Sequence, residues 1–161
     1  MAEAVTFGAA RLEDQGKLAP FLESVLGPTL KAETDAAKKA GFPVSTVKEE
    51  LLSADDFYFS TVDLMDCCLL ARTEGGALGG AVCMNPYVAE LQYVAVAEAW
   101  RRKGVARWLV EMALGELRRR GVNHARADMA LRLADAGGRA FGTKMGFHEV
   151  RCTLVMGRRV L

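Results

Sequence analysis

Only two histidines occur in this 161-residue sequence. His124 and His148 show no ligand spacing to each other or to a cysteine. A structural or catalytic zinc site needs several such groups converging on one point, so no metal is expected. The four cysteines supply no framework either. Cys67 and Cys68 are adjacent and would point to opposite faces of a strand, while Cys83 and Cys152 stand alone. All four read as reduced, mostly buried thiols that behave as small hydrophobes. No apolar run approaches the roughly 20 residues that span a bilayer, so a membrane partner is not expected. The opening MAEAVTFGAARLED lacks a basic start followed by an apolar stretch, so the protein reads as cytoplasmic rather than secreted. An excess of one charge is also missing. Twenty-one basic residues face 20 acidic ones, a formal net charge of +1, which argues against nucleic acid as a partner.

What is present is a globular composition, 51% hydrophobic and 25% charged. A chain of this length makes one domain, residues 1–161, and buries about two-thirds of its unfolded surface. Ala4 to Ala10 reads as a short strand. Leu18, Phe21, Leu22, Val25 and Leu26 then share one helix face, with Pro20 expected to delay or kink the helix and Gly27-Pro28 to stop it. Residues 29–41 form a second, polar helix, and Thr46-Val47-Lys48-Glu49 is a capping box that opens a third, running to about Leu52. Three strands follow, Asp66 to Thr73, Leu78 to Asn85 and Val88 to Val96, the first two joined through Glu74-Gly75-Gly76. A helix is expected from Gly104 to about Arg120, its stripe made of Val105, Leu109, Val110, Ala113, Leu114 and Leu117, with Gly121 ending it. His124 to Leu131 is a strand candidate, Leu133 to Met145 a helix, and residues 147–150 and 153–160 are two final strands. The order predicts an α/β (α+β) layer with helices packed on a sheet, not a doubly wound fold.

One stretch is at odds with helix electrostatics. WRRKGVAR, Trp100 to Arg107, crowds cations at a helix N-terminus that already carries positive partial charge. An anion resolves the conflict: exposed helix N–H groups point at it, Gly104 lets the backbone approach, and Arg101, Arg102 and Lys103 add charge-assisted bonds. The competing reading is a solvated basic turn. The stretch is neither G-x-x-x-x-G-K-[ST] nor G-x-G-x-x-G. Trp100 and Trp108 read as packing residues, Met112, Met129 and Met145 as core or gap-filling positions, and Arg118-Arg119-Arg120 as cations complementing a helix C-terminus.

Arg101 to Ala106 fits [Q/R]-x-x-G-x-[G/A], and in this the sequence resembles the GNAT superfamily of N-acetyltransferases. Glu90 to Val96, ELQYVAV, is similar to the family's fourth strand, and Lys144-Met145-Gly146-Phe147 to the K-x-G-F that ends its last helix. The three motifs stand in the family's order, and the element order matches along nearly the whole chain. The resemblance implies a mixed, mostly antiparallel central sheet flanked by helices. It also implies acetyl-CoA or another acyl-CoA as co-substrate. The pyrophosphate would meet Arg101, Arg102, Lys103, Gly104, Val105, Ala106 and Arg107, and the pantetheine arm the backbone of Val94, Ala95 and Val96. The acceptor would be a primary amine of a small molecule or peptide, attacking directly, and the assembly a homodimer.

Acyl transfer to an amine needs a deprotonated amine, a stabilised oxyanion and a leaving thiolate. A lysine-like amine has a pKa of about 10.4, so a base helps at neutral pH. Glu90 is the candidate, because a carboxylate in a central strand is costly unless paired or working. The alternative is an exposed carboxylate at the strand's start. For the oxyanion the resemblance points to a backbone N–H near Val94. The sequence departs from the family in Phe141-Gly142-Thr143-Lys144-Met145-Gly146-Phe147: where many members carry the general-acid tyrosine of F-Y-x-K-x-G-F, this chain has Gly142, and Asp135 replaces a frequent asparagine. Tyr93, Thr143 and water are the substitutes, Tyr93 being carried as a catalytic candidate. A thiol with a pKa of about 8.5 needs little protonation to leave. The missing tyrosine also admits a second reading, a non-catalytic acyl-CoA-binding regulatory module. The acceptor region, with Glu33, Asp35, Lys38, Lys39, Glu49 and Glu50, has mixed charge and names no substrate.

Overall fold

The computed structural model describes residues 4–127 and 136–147. Strand β1 (Val5–Ala9) leads through a short 3-10 turn at Leu12–Asp14 into helix α1 (Leu18–Lys39), followed by α2 (Val47–Tyr58) and the single turn α3 (Val62–Met65). Strands β2 (Cys68–Thr73), β3 (Leu78–Asn85) and β4 (Glu90–Val96) come next, then α4 (Val105–Arg119) and α5 (Ala136–Lys144). The four strands form one antiparallel sheet in chain order, β1-β2-β3-β4. Helices cover both faces, as the mixed layer requires, and one apolar cluster joins α1, α2 and α4 to the sheet.

The expected stop at Gly27-Pro28 does not occur. Helix α1 runs through Pro28, and residues 29–41 continue it instead of starting a new helix. An internal proline costs about 3 kcal/mol. That cost is offset because Leu18, Leu22, Leu26 and Leu30 form one i, i+4 stripe on both sides of Pro28, each at most 5% exposed. Pro20 sits in the first turn, where its missing N–H would have no intrahelical partner, so it neither delays nor breaks the helix. Helix α2 opens at the capping box, with Glu49 N–H donating to Thr46 Oγ1 at 3.2 Å and Thr46 N–H to Glu49 Oε2 at 3.3 Å. It then extends beyond Leu52 to Tyr58, carried by buried Leu51, Asp55 and Tyr58. Asp55 docks α2 on the start of α1, accepting from the N–H groups of Gly16 and Ala19.

Two buried polar contacts tie the sheet to its surroundings. Asp14, 1% exposed, pairs with Arg72 of β2, which also donates to the Ala9 carbonyl at 3.0 Å. Cys67, Cys68 and Cys83 are free and buried as expected, with Cys68 and Cys83 directly opposite each other and their sulfurs 3.8 Å apart. Burial pushes the Cys67 thiol up to about 11 and raises that of Cys83. Cys152, Met129, Asp135 and the two final strands lie outside the described residues. Of the strand candidate His124 to Leu131, the described part forms one parallel bridge, Glu90 to Arg126. No described helix is long and apolar enough to cross a membrane, and no described group of three or more His, Cys, Asp or Glu could hold a metal ion.

Candidate active site

The site grows from the outer edge of β4. Ala97 N–H donates to Gly79 O at 2.9 Å and Ala95 lies opposite Ala81, so these residues turn their backbone groups toward β3. By strand alternation, Val94 and Val96 turn theirs to the other edge. There the Leu91 N–H donates to Arg126 O at 2.7 Å, but the Val94 N–H and C=O and the Val96 N–H have no backbone partner among the described residues. Their side chains are half-buried against the core cluster, so the same residues serve packing with their side chains and offer a row of donors and acceptors with their backbone.

The chain leaves this edge through a 3-10 turn at Glu98–Trp100 and reaches α4 at Val105. Gly104 holds φ 81°, a left-handed conformation directly before α4, and Arg102 is also left-handed at φ 63°. No side chain caps the helix, and the first bond within it is from Trp108 N–H to Gly104 O. The N–H groups of Val105, Ala106 and Arg107 are therefore open donors among the described residues. A Cβ built on Gly104 meets nothing within 4 Å, so the cradle is open on the protein side.

The four cations are not equivalent. Arg101 Nε donates to the Val96 carbonyl at 3.1 Å, locking the loop onto the end of β4. Lys103 Nζ lies 4.9 Å from the centre of the Trp100 ring, a cation–π contact, and Arg107 pairs with Glu111 at 3.2 Å. Arg102 is exposed and has no hydrogen bond or ion pair among the described residues. Three of the four cations thus have partners within the protein, and Arg102 has none among the described residues. Trp100 packs as expected, buried over Gly79, whereas Trp108 is 59% exposed and leans on Phe7 with ring centres 6.0 Å apart. Arg119 and Arg120 pair with Glu116, and Arg120 also with Asp63, which makes that cluster a helix-to-turn clamp.

Glu90 and Tyr93 sit on the same strand in different surroundings. Glu90 accepts from Arg126 Nη2 at 2.9 Å, with its side chain 16% exposed, so the carboxylate is paired at the strand's start. Tyr93 is buried, and its hydroxyl donates to Glu50 Oε1 of α2 at 3.1 Å. Between them lies an extra residue. Met84 faces Leu91 but Cys83 faces Tyr93, so Gln92 forms a β-bulge. Gln92 Oε1 accepts from the Tyr58 hydroxyl at 2.6 Å, so α2 is fastened to β4 at two successive residues. Burial raises the Tyr58 phenol well above its ordinary value, which keeps it a neutral donor. On α5, Gly142 is buried and Thr143 exposed. Tyr58, Gln92 and Arg126 carry no signal in the sequence pattern, since a bulge and a bond between distant segments leave no periodic trace.

The Acetyltransferase (GNAT) family profile matches residues 33–147. The chain belongs to the GNAT acetyltransferase family. Comparison with curated protein sequences finds no match. Solved structures with the same fold include a GNAT-family acetyltransferase from Staphylococcus aureus Mu50, 11% identical, covering 98% of this chain and 94% of that one with a TM-score of 0.65. An aminoglycoside antibiotic 6'-N-acetyltransferase from Acinetobacter baumannii is 14% identical over 98% and 99% of the two chains, with a TM-score of 0.65. An aminoglycoside N-acetyltransferase in complex with CoA is 12% identical over 100% and 94%, with a TM-score of 0.64. At these identities the likeness establishes the fold, which is the mixed sheet flanked by helices expected from the sequence.

Proposed function

We propose that this GNAT protein is an acyl-CoA-dependent N-acyltransferase that moves an acetyl group from acetyl-CoA to a primary amine. The observation that carries the reading is that the Val94 and Val96 N–H groups, without a backbone partner among the described residues, lead to left-handed Gly104 and the open N–H groups of α4. A diphosphate fits the open turn with Arg102 beside it, and an extended amide-bearing arm fits the strand edge. When bound, the thioester supplies an activated acyl carbon that forms the amide bond with the amine and releases the thiol.

The remaining chemistry belongs to the chain. The Val94 N–H, without a backbone partner among the described residues, is the donor for the developing oxyanion. Glu90 takes the proton lost by the amine, directly or through water, and Arg126 fixes its orientation. Tyr93, its hydroxyl donating to Glu50, is the second candidate catalytic group on β4. The thiolate leaves without a tyrosine at Gly142, its pKa of about 8.5 by analogy with cysteine making protonation undemanding. Gly142 also favours a second reading, a regulatory module that binds acyl-CoA without turnover. Calorimetric titration with acetyl-CoA, paired with thiol release over an amine panel, separates the two. Binding with amine-dependent release is expected; binding without release from any amine would favour the module, and no binding would overturn both.

A further inference from the structure

Glu90 and Tyr93 are three residues apart, so in a regular strand they would point to opposite faces of the sheet. The bulge at Gln92 removes that difference. Cys83 and Asn85, two apart on β3, share one face, and they stand opposite Tyr93 and Glu90. That face is the one α2 covers, because Gln92 and Tyr93 both bond to side chains of α2. The amide of Gln92 therefore shares a face with the carboxylate of Glu90. Residues two apart on a strand stand about 7 Å from each other, so both side chains reach one small molecule.

Tyr58 decides which end of that amide is presented. It is 0% exposed, and its hydroxyl makes one hydrogen bond among the described residues, to Gln92 at 2.6 Å. Burial keeps the phenol protonated, and a buried O–H whose proton found no acceptor would bear the full cost of its desolvation. The phenol therefore donates, and the amide turns its oxygen inward to accept. The Nε2 group is the end that remains. Gln92 is half-buried, and its Nε2 has no hydrogen bond among the described residues and is not sealed from solvent. A free glutamine turns its amide and accepts as readily as it donates, whereas this one holds two N–H donors on the face beside Glu90.

Resting on the acyltransferase reading, we propose that Gln92 is a specificity-determining residue for the acceptor and that Tyr58 is the positioning residue that fixes it. The acceptor class is an amine that carries an accepting oxygen, as an ether, hydroxyl or carbonyl, a few bonds from its nitrogen. Nε2 of Gln92 donates to that oxygen while Glu90 takes the proton of the amine, which aligns the nitrogen for attack. An amine without such an oxygen leaves the Gln92 donors to water and gains no alignment from them.

The test compares 2-methoxyethylamine with butylamine, an amine of the same chain length without the oxygen. Steady-state acetylation of both is measured for the wild type, Tyr58→Phe, Gln92→Glu and the double variant Tyr58→Phe/Gln92→Met. Melting midpoints and acetyl-CoA affinity are measured for each. The quantity read is the ratio of kcat/KM for the ether amine to that for butylamine, and comparing it between proteins cancels the difference in basicity of the two amines. The double variant replaces both buried partners with apolar groups of similar shape, so it is expected to fold. Its ratio should fall about three- to tenfold below wild type, through KM for the ether amine, with acetyl-CoA affinity unchanged. Gln92→Glu keeps an acceptor for Tyr58 but has no donor to offer, so its ratio should fall at least as far. Tyr58→Phe lets the amide turn, and its ratio should lie in between. A purely structural role for the phenol would lower the melting midpoint and leave the ratio alone, which would overturn its positioning role. An unchanged ratio in the double variant or in Gln92→Glu, or turnover with other amines but neither of these two, overturns the inference while leaving the acyltransferase reading intact. Absence of turnover with every amine of a broad panel in a wild type that binds acetyl-CoA overturns the acyltransferase reading, and this inference with it.

Discussion

Replacing Gly104 with alanine separates the backbone geometry of the loop from its charge. The residue holds φ 81°, where an L side chain costs about 1–2 kcal/mol. Steric crowding inside the protein adds nothing, since a Cβ there meets no atom within 4 Å. The free protein should therefore lose about 1–2 kcal/mol, or roughly 2–8 °C in melting temperature for a domain of this size. Its acetyl-CoA affinity should fall by about ten- to a hundredfold, because relaxing φ swings the open N–H groups of α4 out of register with the phosphate. Arg102→Gly provides the opposing case. It removes the exposed, unpaired cation but also relieves a left-handed conformation at φ 63°. Stability should hold or rise by up to about 1 kcal/mol while acetyl-CoA affinity drops and its salt dependence weakens. Thermal melts and calorimetric titrations at two salt concentrations give both quantities. A Gly104→Ala protein that melts with the wild type and binds acetyl-CoA equally well would refute the cradle.

The scaffold makes further predictions. At Asp14, burial pushes the carboxyl up, but the Arg72 guanidinium and the Arg11 N–H outweigh it and hold the group below its ordinary value. Its stabilisation is present above the unfolded pKa of about 3.9 and lost as pH falls through the lower folded value. Urea midpoints should decline over that acid range, and Asp14→Asn should flatten the decline while costing about 3–5 kcal/mol at neutral pH by leaving Arg72 without its buried partner. Gly80→Ala should cost about 1–3 kcal/mol in the same assay, because its Cβ would stand 2.9 Å from Val105 Cγ1 and 3.0 Å from Leu109 Cδ1, where α4 lies closest to β3. Asp55→Ala should cost about 1–2 kcal/mol by freeing the N–H groups of Gly16 and Ala19 at the start of α1, and a midpoint within error of wild type would remove that cap from the account.

What could be read from sequence follows the range of the interaction. The capping box at Thr46, the stripe of α4 and strands β1 to β4 are set by neighbours within a few residues, and each stands within a few positions of where its pattern placed it. Gly104 was legible for the same reason, because a glycine before a helix flanked by cations is a local signal. Pro28 was misread because its local cost is real, and only the leucine stripe packed on the sheet outweighs it. The acceptor side was the least legible part. Glu33, Asp35, Lys38, Lys39, Glu49 and Glu50 mix both signs along the chain, yet of that set only the three glutamates line the cleft of about 440 Å³ between α1 and α2. The role of Tyr93 depends on a similar longer-range choice. A tyrosine in a strand can donate or accept, and the bulge at Gln92 together with Glu50, 43 residues away, decides which. On the acyltransferase reading, the co-substrate side is encoded by consecutive residues and the acceptor side by how α2 sits on β4. Substitutions in the loop should therefore change co-substrate affinity with little effect on amine preference, and substitutions in α2 the reverse.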